Sequence, residues 1–185
     1  MIRSTALRLF ILAVVLIAAL WIATSIGDYE TLRAIILTWG YPALFVLAVV
    51  SGFSLIAPVP AVVFVPLVVA VGLNFWVAII IVIIGMTIGD GFGIFLGSTG
   101  RQVFDEWIEV RWLERVEKFL NRWKLKPEFI AFLYAAFIPL PNELLFVPLA
   151  FLKKHTGKLF LAAFLGNAVF NIIAAGVLVG IVKLI

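Results

Sequence analysis

The chain of 185 residues is 65% hydrophobic and 13% charged, with 14 basic and 10 acidic residues and a formal net charge of +4. A mean hydropathy of +1.24 excludes an ordinary soluble domain and points to an integral membrane protein. The lack of cysteine excludes disulfides, thiolate metal sites and thiol catalysis, and the basic excess reads as topogenic charge rather than as a nucleic-acid surface.

Five apolar blocks follow in chain order. Leu7–Ile26 comes first: Arg3 and Arg8 precede its apolar run from Leu9 to Ile26, the charge pattern of a signal peptide. Its length, near the roughly 20 residues that cross a bilayer, and the polytopic chain after it favour a transmembrane span. Pro42–Gly72 is broken at Pro58 and lies in a stretch, Ala34 to Gly89, with no charged residue. Phe75–Gly97 has the length of one span. Pro127–Leu152 is broken at Pro139 into arms Pro127–Ile138 and Glu143–Leu152, of 12 and 10 residues. As helices these arms reach roughly 18 and 15 Å, about half of a hydrocarbon core of about 30 Å, so the block reads as a re-entrant hairpin. Leu159–Val182 is again a single span.

Charge arbitrates the second block, whose first arm, Pro42–Ala57, is almost long enough to cross. If it turns back, 12 of the 14 basic residues share one side and only Arg33 and Lys183 lie opposite. If it crosses once, the basic loop is exported, against the positive-inside rule. The favoured fold is an all-α polytopic membrane protein with three spans and two hairpins, its N-terminus cytoplasmic, in the cell membrane. Whether the first hairpin is re-entrant or contains a full span stays open.

The two breaks are related. Pro58-Val59-Pro60-Ala61 and the run to Leu67 lie over Pro139-Leu140-Pro141-Asn142-Glu143 and the run to Leu149, with Pro58 and Pro139 81 residues apart. Gly89-Asp90 in one span corresponds to Gly166-Asn167 in the other. This predicts an N-terminal helix and external loop over 1–33, then a domain over 34–182. Within it, repeat 1 (42–97) and repeat 2 (127–182) have opposite orientation, the arrangement in which transporters build sites from broken helices. Between them, 101–126 carries Leu113, Val116, Leu120 and Trp123 at helical spacing, with Trp107 and Trp112 suited to headgroup level. It predicts an amphipathic helix on the cytoplasmic surface.

Away from the block ends, where Arg8 and Glu128 stand, Asp90 and Glu143 are the only ionisable acids or bases inside apolar blocks, and such residues face a cavity or a partner. Asn142 is placed to cap the half-helix that Glu143 opens, where a carboxylate meets the positive end of the dipole. Glu143 is then either part of that cap or a carboxylate that carries a proton or cation. Gly85, Gly89 and Gly93 form a small-residue stripe that admits another helix. Asp90 beside it either hydrogen-bonds a hairpin's broken backbone or also touches substrate or ion. Asn167 and Asn171, one turn apart, either satisfy hairpin carbonyls or join the transport core. The breaks themselves are marked by Pro58, Pro60, Pro139 and Pro141. Asn74 and His155 have no expected role. A single histidine builds no metal site, no cofactor motif is present, and no Ser–His–Asp or phosphate-loop pattern supports an enzyme.

The order of these elements resembles the DedA/VTT family, also called the SNARE-associated Golgi protein family. That family places a span of the form G-D-x-x-G-Y-x-x-G-R between a Pro-rich hairpin and a second hairpin resembling R-F-I-P-x-x-R-x-F-V-P-L. The matching residues here are Gly89-Asp90-Gly91-Phe92-Gly93-Ile94 through Gly97, and Ala136-Phe137-Ile138-Pro139 through Asn142, ending in Phe146-Val147-Pro148-Leu149. The family's tyrosine falls on Ile94, its arginines on Ser98, Ala136 and Asn142, and its acid after the first Pro-x-Pro on Val62, which makes this a divergent member. The resemblance implies a lipid scramblase or flippase, or an ion-coupled transporter of a lipid or amphiphile. Its partners would be membrane lipids, with protons or monovalent cations as coupling ions and a homo-oligomer as an option. With the phosphate-contacting arginines absent, a zwitterionic lipid or cation-coupled substrate fits at least as well as a phosphate carrier. The competing reading is a non-transporting scaffold or assembly factor that docks through the 101–126 helix.

Overall fold

Glycine or proline closely follows three of the helix ends in this chain, at Ser51, Ala70 and Phe137. The computed structural model describes residues 30–53, 60–104, 126–138, 140–152 and 156–184, together with 14, 15, 17, 18, 21 and 118, and every regular element among them is helical. The expected span Leu7–Ile26, apart from its isolated residues, and the tip residues Pro58 and Pro139 lie outside the described residues. So do His155 and 105–117 and 119–125 of the expected surface helix.

Helix α1, Glu30–Ser51, starts well before Pro42 and holds that proline in its interior. The sequence predicts an arm beginning at Pro42 and a loop up to residue 33, and the structure corrects both. A proline removes one hydrogen bond, to the carbonyl of Thr38, whereas ending the helix would free several groups that an apolar setting cannot solvate. The Arg33–Ser51 part is long and apolar enough to cross a membrane. After the break, Pro60 (φ −65°, ψ 131°) leads into a 3-10 turn, Ala61–Phe64, and the short helix α2, Val65–Ala70. Gly72, at φ 101° in a region glycine alone adopts freely, reverses the chain into α3.

Helix α3, Phe75–Phe104, opens on a built cap. The Asn74 side-chain oxygen accepts the N–H groups of Trp76 (2.9 Å) and Val77 (3.2 Å), while the Tyr41 hydroxyl accepts the Asn74 N–H (2.7 Å). Asn74 thus has a specific role that its position near an interface did not suggest. α3 also runs past the expected end at Gly97, so Arg101–Phe104 extend the span helix instead of opening a separate one. Helices α4 (Pro127–Phe137), α5 (Glu143–Phe151) and α6 (Thr156–Leu184) follow, the first two within one residue of the arms read from sequence. Among the described residues three helical stretches, Arg33–Ser51, Phe75–Thr99 and Thr156–Leu184, have the length and apolarity of membrane spans.

Small residues fix the packing. A Cβ on Gly85 would overlap Ala48, one on Gly89 would overlap Gly52, and one on Gly166 would overlap Ala135. With Tyr41 against Asn74, these contacts make α1 run parallel to α3. With the Glu128–Lys158 ion pair (4.0 Å), they make α4 run parallel to α6. α3 and α6 are antiparallel, since Phe160 meets Gly91 while Asn171 meets Met86. α5 lies along α3 at Gly93 and Gly97, and α2 lies along α6. One apolar core gathers Leu44, Val62, Val65, Ile79, Val82 and Ala175. A second gathers Ile94, Ala131, Phe146, Leu149, Leu159 and Ala163, and polar residues sit between the two.

Candidate functional site

Between the two apolar cores, α3, α6 and the residue before α5 present polar side chains to one another. Asp90 of α3 is 1% exposed. Its Oδ2 accepts Nδ2–H of Asn142 (3.0 Å), from the break before α5, and Nδ2–H of Asn167 (2.7 Å), from α6. Asn142 also donates to Asn167 Oδ1 (3.3 Å). Asn167 donates to Thr87 Oγ1 (3.3 Å), whose own hydroxyl donates to the Ile83 carbonyl (2.7 Å). One turn on, Asn171 donates to the Asn167 carbonyl (2.8 Å) and to Met86 Sδ (3.4 Å). Each amide therefore spends its donors inside the cluster. Two oxygens, Asp90 Oδ1 and Asn171 Oδ1, are buried with no hydrogen bond among the described residues.

Glu143, the first residue of α5, is buried and lays its Cγ against Gly93, one turn along α3 from Asp90. All five expected core residues, Asp90, Asn142, Glu143, Asn167 and Asn171, are thus buried and drawn together. Asn142 does so differently from the expectation of a helix cap. It occupies the cap position of α5 with helical backbone (φ −60°, ψ −31°), and its side chain makes no capping bond. Capping side chains work from extended backbone; from a helical one the amide points away from its own helix, here to Asp90 and Asn167. Asn167 and Asn171 bind side chains and their own helix rather than hairpin carbonyls.

The residues that border the two helix breaks reach the same level of α3: Gly52, just after α1, packs on Gly89, and Asn142, just before α5, bonds Asp90. Phe53 reaches Phe92 at 5.7 Å between ring centroids. Pro60 and Pro141 flank the breaks, at the start of the 3-10 turn and just before Asn142. Sequence reasoning missed Thr87, Met86, Ser51 and Tyr134. Thr87 had a signal, standing three residues before Asp90 on the same helical face. Ser51 accepts the Ala61 N–H (3.0 Å) and Tyr134 donates to the Pro141 carbonyl (3.1 Å), each spanning a helix break.

No group of three His, Cys, Asp or Glu among the described residues could hold a metal ion. The cluster instead offers fixed acceptors. Asp90 is clamped through one oxygen by two amides, leaving the other to accept a proton, a cation or a donor group. Arg33, Lys118, Lys126, Lys158 and Lys183 are all exposed.

Apolar helices of spanning length around a buried polar centre define a multi-pass membrane protein. A family model for the VTT domain matches residues 59–180, most of the chain and every residue of the polar cluster. The chain belongs to the VTT domain family, as its motif order indicated. No curated protein and no solved structure matches it.

Proposed function

We propose that the protein is a transporter of the cell membrane, with its N-terminus cytoplasmic, that moves a lipid or amphiphile past a polar centre between two re-entrant hairpins. The observation that carries this reading is Asp90, buried and held by amides from two separate elements where both hairpins end. A carboxylate in an apolar interior is expensive, and its usual use is a pathway or relay. Asp90 and Glu143 change protonation or partner as substrate or a coupling cation passes, and no covalent chemistry is required.

Two further features support the hairpin geometry. The chain between Tyr41 and Asn74 leaves and returns to one level, closed by the Tyr41–Asn74 hydrogen bond. Equivalent packing recurs in the second half, with Gly166 on Ala135 as Gly85 is on Ala48, while α3 and α6 run in opposite directions. An inverted repeat has this signature.

The test is reconstitution into liposomes carrying fluorescent lipids of several headgroup classes, with flip rates read across pH. The expected result is a rate above that of empty vesicles for at least one class, lowered by Glu143→Gln. Rates equal to empty vesicles for every class count against transport, and full activity in Glu143→Gln returns that carboxylate to a structural role.

A further inference from the structure

A helix broken inside a membrane leaves carbonyl and N–H groups that lipid cannot satisfy, and hydroxyl side chains can take them up. In each hairpin one hydroxyl does this across the break. Ser51 Oγ accepts the Ala61 N–H at 3.0 Å, tying the last turn of α1 to the 3-10 turn. Tyr134, on the last full turn of α4, donates its hydroxyl to the Pro141 carbonyl at 3.1 Å, ahead of α5.

The two ties differ in what they aim. Beyond Ala61 lie Val62 and Val63, buried and apolar, so the first tie shapes a hydrophobic surface. Beyond Pro141 lie Asn142 and Glu143, the two polar residues that the second hairpin sends to α3. The Pro141 carbonyl also accepts the Leu144 N–H (3.1 Å), so the Tyr134 hydroxyl holds the peptide on which the first turn of α5 is built. Asn142, with helical backbone and no capping bond, has no local interaction of its side chain to fix its direction. Its aim at Asp90 depends on the placement of that peptide.

We propose that Tyr134 is a positioning residue: its hydroxyl fixes the second hairpin's break so that Asn142 reaches Asp90 and Glu143 seats on Gly93. Ser51 is its counterpart in the first hairpin, without effect on the polar cluster. The inference rests on the transport reading only for its consequence; the geometry is separable from it. Losing the Tyr134 hydroxyl removes one net hydrogen bond, which changes the population of the ordered tip by roughly 2- to 12-fold. Transport follows that population, because Asp90 and Glu143 work only when the tip is seated.

The experiment uses the full chain, whose lack of cysteine makes spin labelling unambiguous. Labels at Leu140→Cys, an exposed tip position, and Val77→Cys, on the lipid-facing side of α3, are separated along the helix axis by about 20 Å. Pulsed dipolar spectroscopy then gives the distance distribution in the parent, in Tyr134→Phe and in Ser51→Ala. The expected result is a broadened or second distance in Tyr134→Phe and an unchanged one in Ser51→Ala, at a temperature where circular dichroism shows all three folded. A Tyr134→Phe distribution equal to the parent's overturns the proposal, since the ring alone then suffices. Equal broadening in both variants also overturns it, by showing general loosening. Failure of the parent to flip any lipid would sink the transport reading while leaving the distance result standing.

Discussion

Replacing Gly89 by alanine adds one methyl group at the point where the end of α1 packs against α3. An ideal Cβ there lies 2.5 Å from Gly52 Cα, 2.6 Å from the Val49 carbonyl oxygen and 2.8 Å from Gly52 C, where ordinary contacts begin near 3.4 Å. All three obstacles are backbone, so no rotamer change relieves them and α1 must retreat by about 1 Å. Overpacking of this kind costs about 1–3 kcal/mol, and rigid obstacles favour the upper end. Alanine's better helix propensity returns about 1 kcal/mol, leaving a net loss of about 2 kcal/mol. Gly176→Ala, on α6 with nothing within 4 Å of the new Cβ, keeps the propensity gain without the clash. The two substitutions, identical in chemistry, are therefore expected to differ by about 3 kcal/mol and in sign. Thermal unfolding in detergent, followed by circular dichroism, compares them directly. Gly89→Ala as stable as the parent, or both variants falling alike, refutes the close approach of Gly52 and Gly89.

Asp90→Asn keeps an oxygen that Asn142 and Asn167 can still reach, so the helical signal is expected to persist while lipid flipping drops toward the empty-vesicle rate. Retention of the full rate in that variant would make the cluster purely structural. Asn74→Ala removes the acceptor for two N–H groups at the start of α3 and is expected to lower stability by about 1 kcal/mol, read as a reduced unfolding midpoint. An unchanged midpoint would mean that water or headgroups take over the cap.

In so apolar a chain nearly every buried polar residue stands out, which is why Asp90, Asn142, Glu143, Asn167 and Asn171 were legible before any coordinates. Their pairings were not. Local spacing made Asn142 a cap for its own helix, whereas the helical backbone at that residue sends its amide across 52 positions to Asp90. The bounds of α4 and α5 were legible because Pro127, Pro139 and Pro141 mark them in the sequence. The start of α1 was hidden because Pro42 marks a stop only where the freed groups find solvent. Tyr134 and Ser51 escaped notice since one aromatic and one serine in an apolar block signal nothing until the break they span is seen. The family followed from the order of Gly-Asp, Pro-x-Pro and Phe-Val-Pro-Leu, an order that no single element carries.

The hydrogen bonds described above also differ in how long a chain they need. Those of Ser51 with Ala61 and Tyr41 with Asn74 close over 10 and 33 residues, so they can form as soon as α3 is made. Those of Asp90 and Thr87 join residues 52, 77 and 80 apart and wait for the second half of the chain. Contacts so distant in sequence form late, and incomplete chains are vulnerable until they do. During synthesis α3 therefore carries Asp90 toward the bilayer before either amide that will hold it exists. A chain halted ahead of Asn142 holds Asp90 without either amide that binds it, and the polar centre exists only once both halves of the cluster are joined.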